Sequence, residues 1–123
     1  LSAKNHKVFV YGTLKKGYYF HDQYLGGDKS SFNGPALASL DYSLYIDGMP
    51  HLVRETSDKP VKGELYEVSD EVMKSLDDLE GPVYKRDVIE IIDENGNKVL
   101  AWAYLRPRHF KGSQFAWKEY EFI

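Results

Sequence analysis

The chain has 123 residues, with 16 Lys and Arg against 19 Asp and Glu, a formal net charge of -3, 42% hydrophobic and 15% aromatic residues, and no cysteine. That length and apolar content suit a single domain over 1–123 with a core of its own, and the small acidic excess offers no basic field for nucleic acid or an anionic membrane surface. Without cysteine there is neither a disulfide framework nor a thiolate metal ligand, which fits a reducing, cytoplasmic setting.

Leu1 to Lys7 (LSAKNHK) lacks the apolar centre of a signal peptide, and no apolar run is long enough to span a bilayer. Lys7 to Tyr11 reads as a buried strand, and it runs into Gly12-Thr13-Leu14-Lys15-Lys16-Gly17. A strand that ends in glycine and then polar residues brings backbone N–H groups to the mouth of a site, because glycine puts no side chain in the way. Leu37 to Ile46 alternates loosely as a second strand, ended by the turn signal Asp47-Gly48, and Met49-Pro50 then breaks the run. The Met49-Pro50 bond is expected trans, with a cis bond shaping a pocket as the minority alternative. His51 to Glu55 and Val61 to Val68 follow as strands. Ser69 to Glu80 (SDEVMKSLDDLE) is an amphipathic helix, with Ser69 or Asp70 as its cap, acids in its first turn, and Gly81-Pro82 as its stop. Tyr84 to Ile92 and Lys98 to Leu105 complete the set as a hairpin joined across Asn95-Gly96. Six strands and one or two main helices imply an α+β fold. The expected form is a small, mixed, mostly antiparallel sheet curled into a β-barrel, since strands of this length otherwise leave open edges.

One residue of the helix breaks its pattern. Val72, Met73, Leu76 and Leu79 form the apolar face, and Glu80 falls inside it at the i, i+3, i+7 spacing from Met73 and Leu76. Asp78 lies on the solvated side and Asp77 at the border. Glu80 also ends the helix, where the macrodipole is negative. Burial and dipole both push its pKa upward, as a general base working near neutral pH requires. The bland alternatives are that Gly81 turns Glu80 out to water, or that it pairs with Lys85 or Arg86.

With the loop and this glutamate in hand, the chain resembles the γ-glutamylcyclotransferase-like family, and within it the γ-glutamylamine cyclotransferases. The resemblance is carried by Val8 to Gly17 (VFVYGTLKKG) with His21 beyond it, by Val61 to Val68 (VKGELYEV), and by Leu76-Asp77-Asp78-Leu79-Glu80 followed by Tyr84-Lys85-Arg86. It covers the chain from about Val8 to Leu105. Lys16 stands where arginine is common in the γ-glutamylamine branch. The resemblance implies a substrate pocket lined by Tyr11, Gly12, Thr13 and Leu14, whose backbone amides and Thr13 hydroxyl hold the α-carboxylate or the carbonyl oxygen. It also implies that Glu80 acts as general acid and base, and that Tyr84 and Arg86 orient the glutamate or the substrate carboxylate. For Arg86 a strand-surface ion pair is the equal alternative. The reaction implied is intramolecular closure of a γ-glutamyl group to 5-oxoproline with release of an amine, without cofactor or metal. The only partner implied is the small-molecule substrate, and a monomer is favoured. The competing readings are a noncatalytic binder of γ-glutamyl or similar small ligands, or a cyclotransferase for another leaving group.

Other chemistries fit poorly. Gly12 and Gly17 copy the glycine spacing of a phosphate loop, but Tyr18-Tyr19 occupies the Lys-Ser/Thr positions. His6, His21, His51 and His109 form no closely spaced pair of metal ligands. No Gly-x-Ser-x-Gly elbow is present for serine catalysis.

Overall fold

The computed structural model describes residues 3–12, 24–47, 49–106 and 113–114. Its strands are β1 (His6–Val10), β2 (Ser30–Ala38), β3 (Tyr42–Asp47), β4 (Met49–Arg54), β5 (Lys62–Val68), β6 (Lys85–Asp93), β7 (Lys98–Leu105) and β8 (Ser113–Gln114). A helix, α1 (Asp70–Glu80), joins β5 to β6 through a short 3-10 turn at Gly81–Val83. The antiparallel pairs β1–β5, β5–β2, β2–β6 and β6–β7 are completed by a parallel bridge between β7 and β1 at Val8↔Trp102. These pairings form a ring, closed at that one point. β4 pairs with the end of β7 in parallel at Leu52↔Leu105, and β3 and β8 extend the sheet beyond it. The mostly antiparallel α+β architecture is the one the strand-rich sequence predicts. Among the described residues no helix is long and apolar enough to cross a membrane.

The run Val8-Phe9-Val10 is continuously apolar because both faces of β1 are covered. Phe9 and Tyr11 point into the ring with Leu65, Ile89, Ile91 and Ala103, whereas Val8 and Val10 lie on the helix side with Tyr66, Met73, Leu76 and Tyr104. The ring is drawn tight at Gly63. A Cβ there would lie 2.4 Å from the Val10 carbonyl oxygen and 2.5 Å from the Phe9 ring, so only glycine lets β5 approach β1 this closely. Helix α1 starts as expected: Ser69 is the cap, its hydroxyl accepting the Val72 N–H at 3.2 Å, with Asp70 and Glu71 in the first turn. It ends at Gly81, whose φ of 61° suits glycine and whose N–H donates to the Asp77 carbonyl.

Three details differ from the sequence expectation. Ser30–Ala38 is a strand despite Asn33-Gly34-Pro35 at its centre; the register with β5 shifts between Phe32 and Pro35, and this bulge absorbs the turn-forming residues. The segment expected as one strand over Leu37 to Ile46 is two, because Ser39 to Asp41 makes a turn: the Tyr42 N–H donates to the Ser39 carbonyl at 3.3 Å and the Asp41 N–H to the Ser39 hydroxyl at 3.4 Å. Met49-Pro50 opens β4 instead of breaking the chain, with Asp47↔Met49 and Ile46↔Pro50 paired to β3. Pro50 precedes the bridge from Leu52 to β7, at a strand end where a missing N–H is tolerated. The described peptide bonds, Met49-Pro50 among them, are trans. Gly48 lies outside the described residues.

Candidate active site

Strand register gathers distant segments at one end of the ring. Val8↔Trp102 in parallel brings the C-terminal end of β1 beside that of β7. Leu52↔Leu105 adds β4 at the same level, and Lys85↔Leu105 adds the start of β6. Tyr11-Gly12, His51-Leu52, Tyr84 and Tyr104 to Arg106 therefore meet there, and α1 delivers Glu80 beside Tyr84.

Tyr11 ties the strand ends together. Its hydroxyl donates to the Tyr104 carbonyl at 2.6 Å and accepts the Leu52 N–H at 3.1 Å. The Arg106 N–H in turn donates to the Leu52 carbonyl at 2.9 Å. Gly12 comes next, and a side chain on it would crowd the Pro50 ring, since a Cβ would stand 3.3 Å from Pro50 Cγ. Tyr11→Phe keeps the buried ring but removes the partner of two backbone groups. It is expected to destabilise the fold by about 1–3 kcal/mol, seen as a lower urea midpoint at unchanged slope. An unaltered midpoint would mean that these strand ends are held without the phenol.

Glu80 is the last residue of α1 and is partly buried, on the face that also carries Met73 and Leu76. Burial pushes its carboxyl from an ordinary 4.5 up to about 7. Among the described residues no lysine or arginine offsets this rise, so neither Lys85 nor Arg86 is its ion-pair partner. The Arg86 Nε lies 3.1 Å from Asp77 Oδ1, with the guanidinium 4.4 Å from the Trp102 ring centroid. The same Asp77 oxygen accepts the Tyr104 hydroxyl at 2.7 Å, which fastens the last turn of α1 to β7. Burial, then this bond to Asp77, raise the Tyr104 phenol far above its ordinary value, and the charge of Glu80 adds to the rise.

Tyr84 follows the turn after Glu80. Burial, with the nearby Glu80 charge, pushes its phenol up to about 12, partly offset by Arg106. It therefore remains a neutral phenol with one proton at any working pH. Its oxygen lies 2.5 Å from His51 Nδ1, and the Arg106 guanidinium sits 5.8 Å from its ring centroid.

Of the residues expected at the site, Tyr11, Gly12, Glu80 and Tyr84 are brought to one end of the ring, and Arg86 is engaged by Asp77 and Trp102. Thr13 and Leu14, and with them Lys15, Lys16, Gly17 and His21, lie outside the described residues. Sequence reasoning did not single out His51, Tyr104 or Arg106 for this end of the ring. Tyr11 and Tyr104 are 93 residues apart, and no local pattern announces their contact. His51 alone carried a hint, as a polar residue within the apolar run Pro50-His51-Leu52-Val53. Among the described residues no group of three or more His, Asp or Glu side chains is placed to hold a metal ion.

The sequence matches the profile of the family described as Gamma-glutamyl cyclotransferase, AIG2-like, over residues 8–121. It is 33% identical over 126 residues to the gamma-L-glutamyl-butirosin B gamma-glutamyl cyclotransferase of Niallia circulans, spanning 92% of this chain and 76% of that protein. It is 32% identical over 103 residues to the gamma-glutamylaminecyclotransferase of Rattus norvegicus, spanning 77% of this chain and 65% of that one. The crystal structure of an AIG2-like protein from Mus musculus matches with a TM-score of 0.74 at 29% identity, covering 85% of this chain and 79% of that chain.

Proposed function

The chain belongs to the gamma-glutamyl cyclotransferase, AIG2-like family, and from that premise we propose that it releases 5-oxoproline and a free amine from γ-glutamylamine-type substrates such as γ-glutamyl-ε-lysine, with Glu80 as general acid and base. The observation that carries this reading is a carboxyl whose pKa burial raises to about 7, at the ring end where Tyr11-Gly12 emerges. An α-ammonium has no lone pair, and a carboxylate of such basicity takes its proton near neutral pH. The freed amine attacks the γ-carbonyl carbon of the same molecule. A C–N bond forms to close the five-membered ring, negative charge grows on the γ-oxygen, and the bond to the outgoing nitrogen then breaks as Glu80 returns the proton to it. The ring nitrogen gives up its second proton, again by way of Glu80, to the released amine, which departs as an ammonium. Atoms balance without water or cofactor.

Nucleophile and electrophile share one molecule, so the protein's remaining work is to hold the folded conformer, an effect that reaches many kcal/mol. Backbone N–H groups from Gly12 to Leu14 are the donors for the α-carboxylate or for the developing oxyanion. A mere binder gains nothing from a carboxylate that burial disfavours, whereas a base has to be there.

The leaving group is the open variable. The two cyclotransferases named above are 33% and 32% identical to this chain and carry different leaving groups in their names, a butirosin and an amine, so identity does not choose between them. Assay of 5-oxoproline release from γ-glutamyl-ε-lysine, a γ-glutamyl amino acid and glutathione is expected to show the fastest turnover with the first. Preference for either of the others reassigns the leaving group. Binding without turnover on any of the three supports the noncatalytic alternative.

A further inference from the structure

His51 is a buried polar side chain, 5% exposed, on a strand that contributes to the site end of the ring. Its backbone is held on both sides of the next residue: the Leu52 N–H by Tyr11, the Leu52 carbonyl by Arg106. The imidazole is thus presented from a rigid strand, and its Nδ1 meets the Tyr84 hydroxyl at 2.5 Å with the two ring centroids 5.4 Å apart. Tyr84, in contrast, stands on the irregular link after the Gly81–Val83 turn, at the C-terminal side of Glu80. Regular backbone pairing of β6 begins only at Lys85. The Tyr84 ring packs against the cluster on the helix side and lies under the Arg106 guanidinium, and among the described residues the hydrogen-bond partner of its hydroxyl is His51.

A neutral phenol has one hydrogen and two lone pairs. Donated to Nδ1, that hydrogen is no longer available to a ligand, and the oxygen is left as an acceptor. In a γ-glutamyl substrate the groups that present hydrogens are the α-amine and the amide N–H of the leaving group; the carboxylate and γ-carbonyl are acceptors only. Resting on the function proposed above, we infer that His51 is a positioning residue for this reaction: by accepting the Tyr84 proton on Nδ1, it makes the Tyr84 oxygen a fixed acceptor for a substrate N–H beside Glu80. The role is specific to one ring nitrogen and is exerted through Tyr84.

The test uses 5-oxoproline release by the full chain with the best substrate of the panel, with kcat and KM measured separately. His51→Leu is expected to lower kcat by roughly 10–100-fold with KM changed less than about threefold, the scale on which misplacing a reacting group is felt. In a Tyr84→Phe background the same change is expected to cost less than about twofold further, because its route is already cut. His51→Asn places an amide near the Nδ1 position and should restore most of kcat, whereas His51→Gln, which reaches the Nε2 position, should not. This pair answers the question even where His51→Leu fails to fold. Equal rates for Asn and Gln, a full additional loss in the Tyr84→Phe background, or an unchanged kcat in His51→Leu would each overturn the inference while leaving the proposed function standing. Silence of the wild type on the whole panel would instead remove the function, and this role with it.

Discussion

Glu80→Gln is expected to lower kcat for 5-oxoproline release by about 10²–10⁴-fold while substrate affinity stays within a few-fold of wild type, the range spanned by loss of a general acid or base. Glutamine keeps the shape of the side chain and its place at the end of α1, but at no pH can it accept the proton of the α-ammonium. The residual rate reports what positioning alone supplies, since the substitution leaves the rest of the proposed substrate site unchanged. Measuring turnover and ligand binding side by side separates the two. A variant with ordinary turnover would take Glu80 out of the mechanism. One that neither turns over nor binds would make it a binding residue.

The same substitution should stabilise the protein above neutral pH. The Glu80 carboxyl titrates near 7 in the fold against an ordinary 4.5, and burial is the cause. Below pH 4.5 it is protonated in folded and unfolded chains alike and exacts no penalty. Between 4.5 and 7 the unfolded chain ionises while the folded one still holds the proton, so stability falls as pH rises through this window, and above 7 the loss is complete. At about 1.4 kcal/mol per pKa unit, the full loss is on the order of 3 kcal/mol. Glu80→Gln escapes it, and is expected to exceed wild type by about 2–3 kcal/mol in urea unfolding at pH 8 and to match it at pH 4. Equal stabilities at pH 8 would mean that the carboxylate is hydrated in the fold. Greater stability combined with lost turnover would mark Glu80 as a residue retained for chemistry at a cost to the fold.

Arg86 illustrates how far sequence and structure each reach. The family resemblance implied contact with substrate or glutamate, with an ion pair on the strand surface as the equal alternative. The structure directs its guanidinium to Asp77 and Trp102, on the helix side of β7. Arg106 sits one residue beyond β7 in a stretch without periodicity, yet it stands over Tyr84. The strand Ser30–Ala38 was hidden for a different reason: Gly34-Pro35 is loop chemistry locally, and only a bulge against β5 accommodates it.

What the sequence by itself determined was whatever depends on neighbours along the chain. The Ser69 cap, the Gly81 stop, the hairpin across Asn95-Gly96 and the carboxylate on the apolar side of α1 all follow from helical or alternating periodicity and from turn chemistry, whose range is a few residues. Tertiary structure alone decided which strand ends share a site. The bridges Val8↔Trp102 and Leu52↔Leu105 bring Tyr11, His51, Tyr84 and Arg106 together. Such pairings are selected by burial of both sheet faces across the whole ring, a condition that no short window of sequence contains.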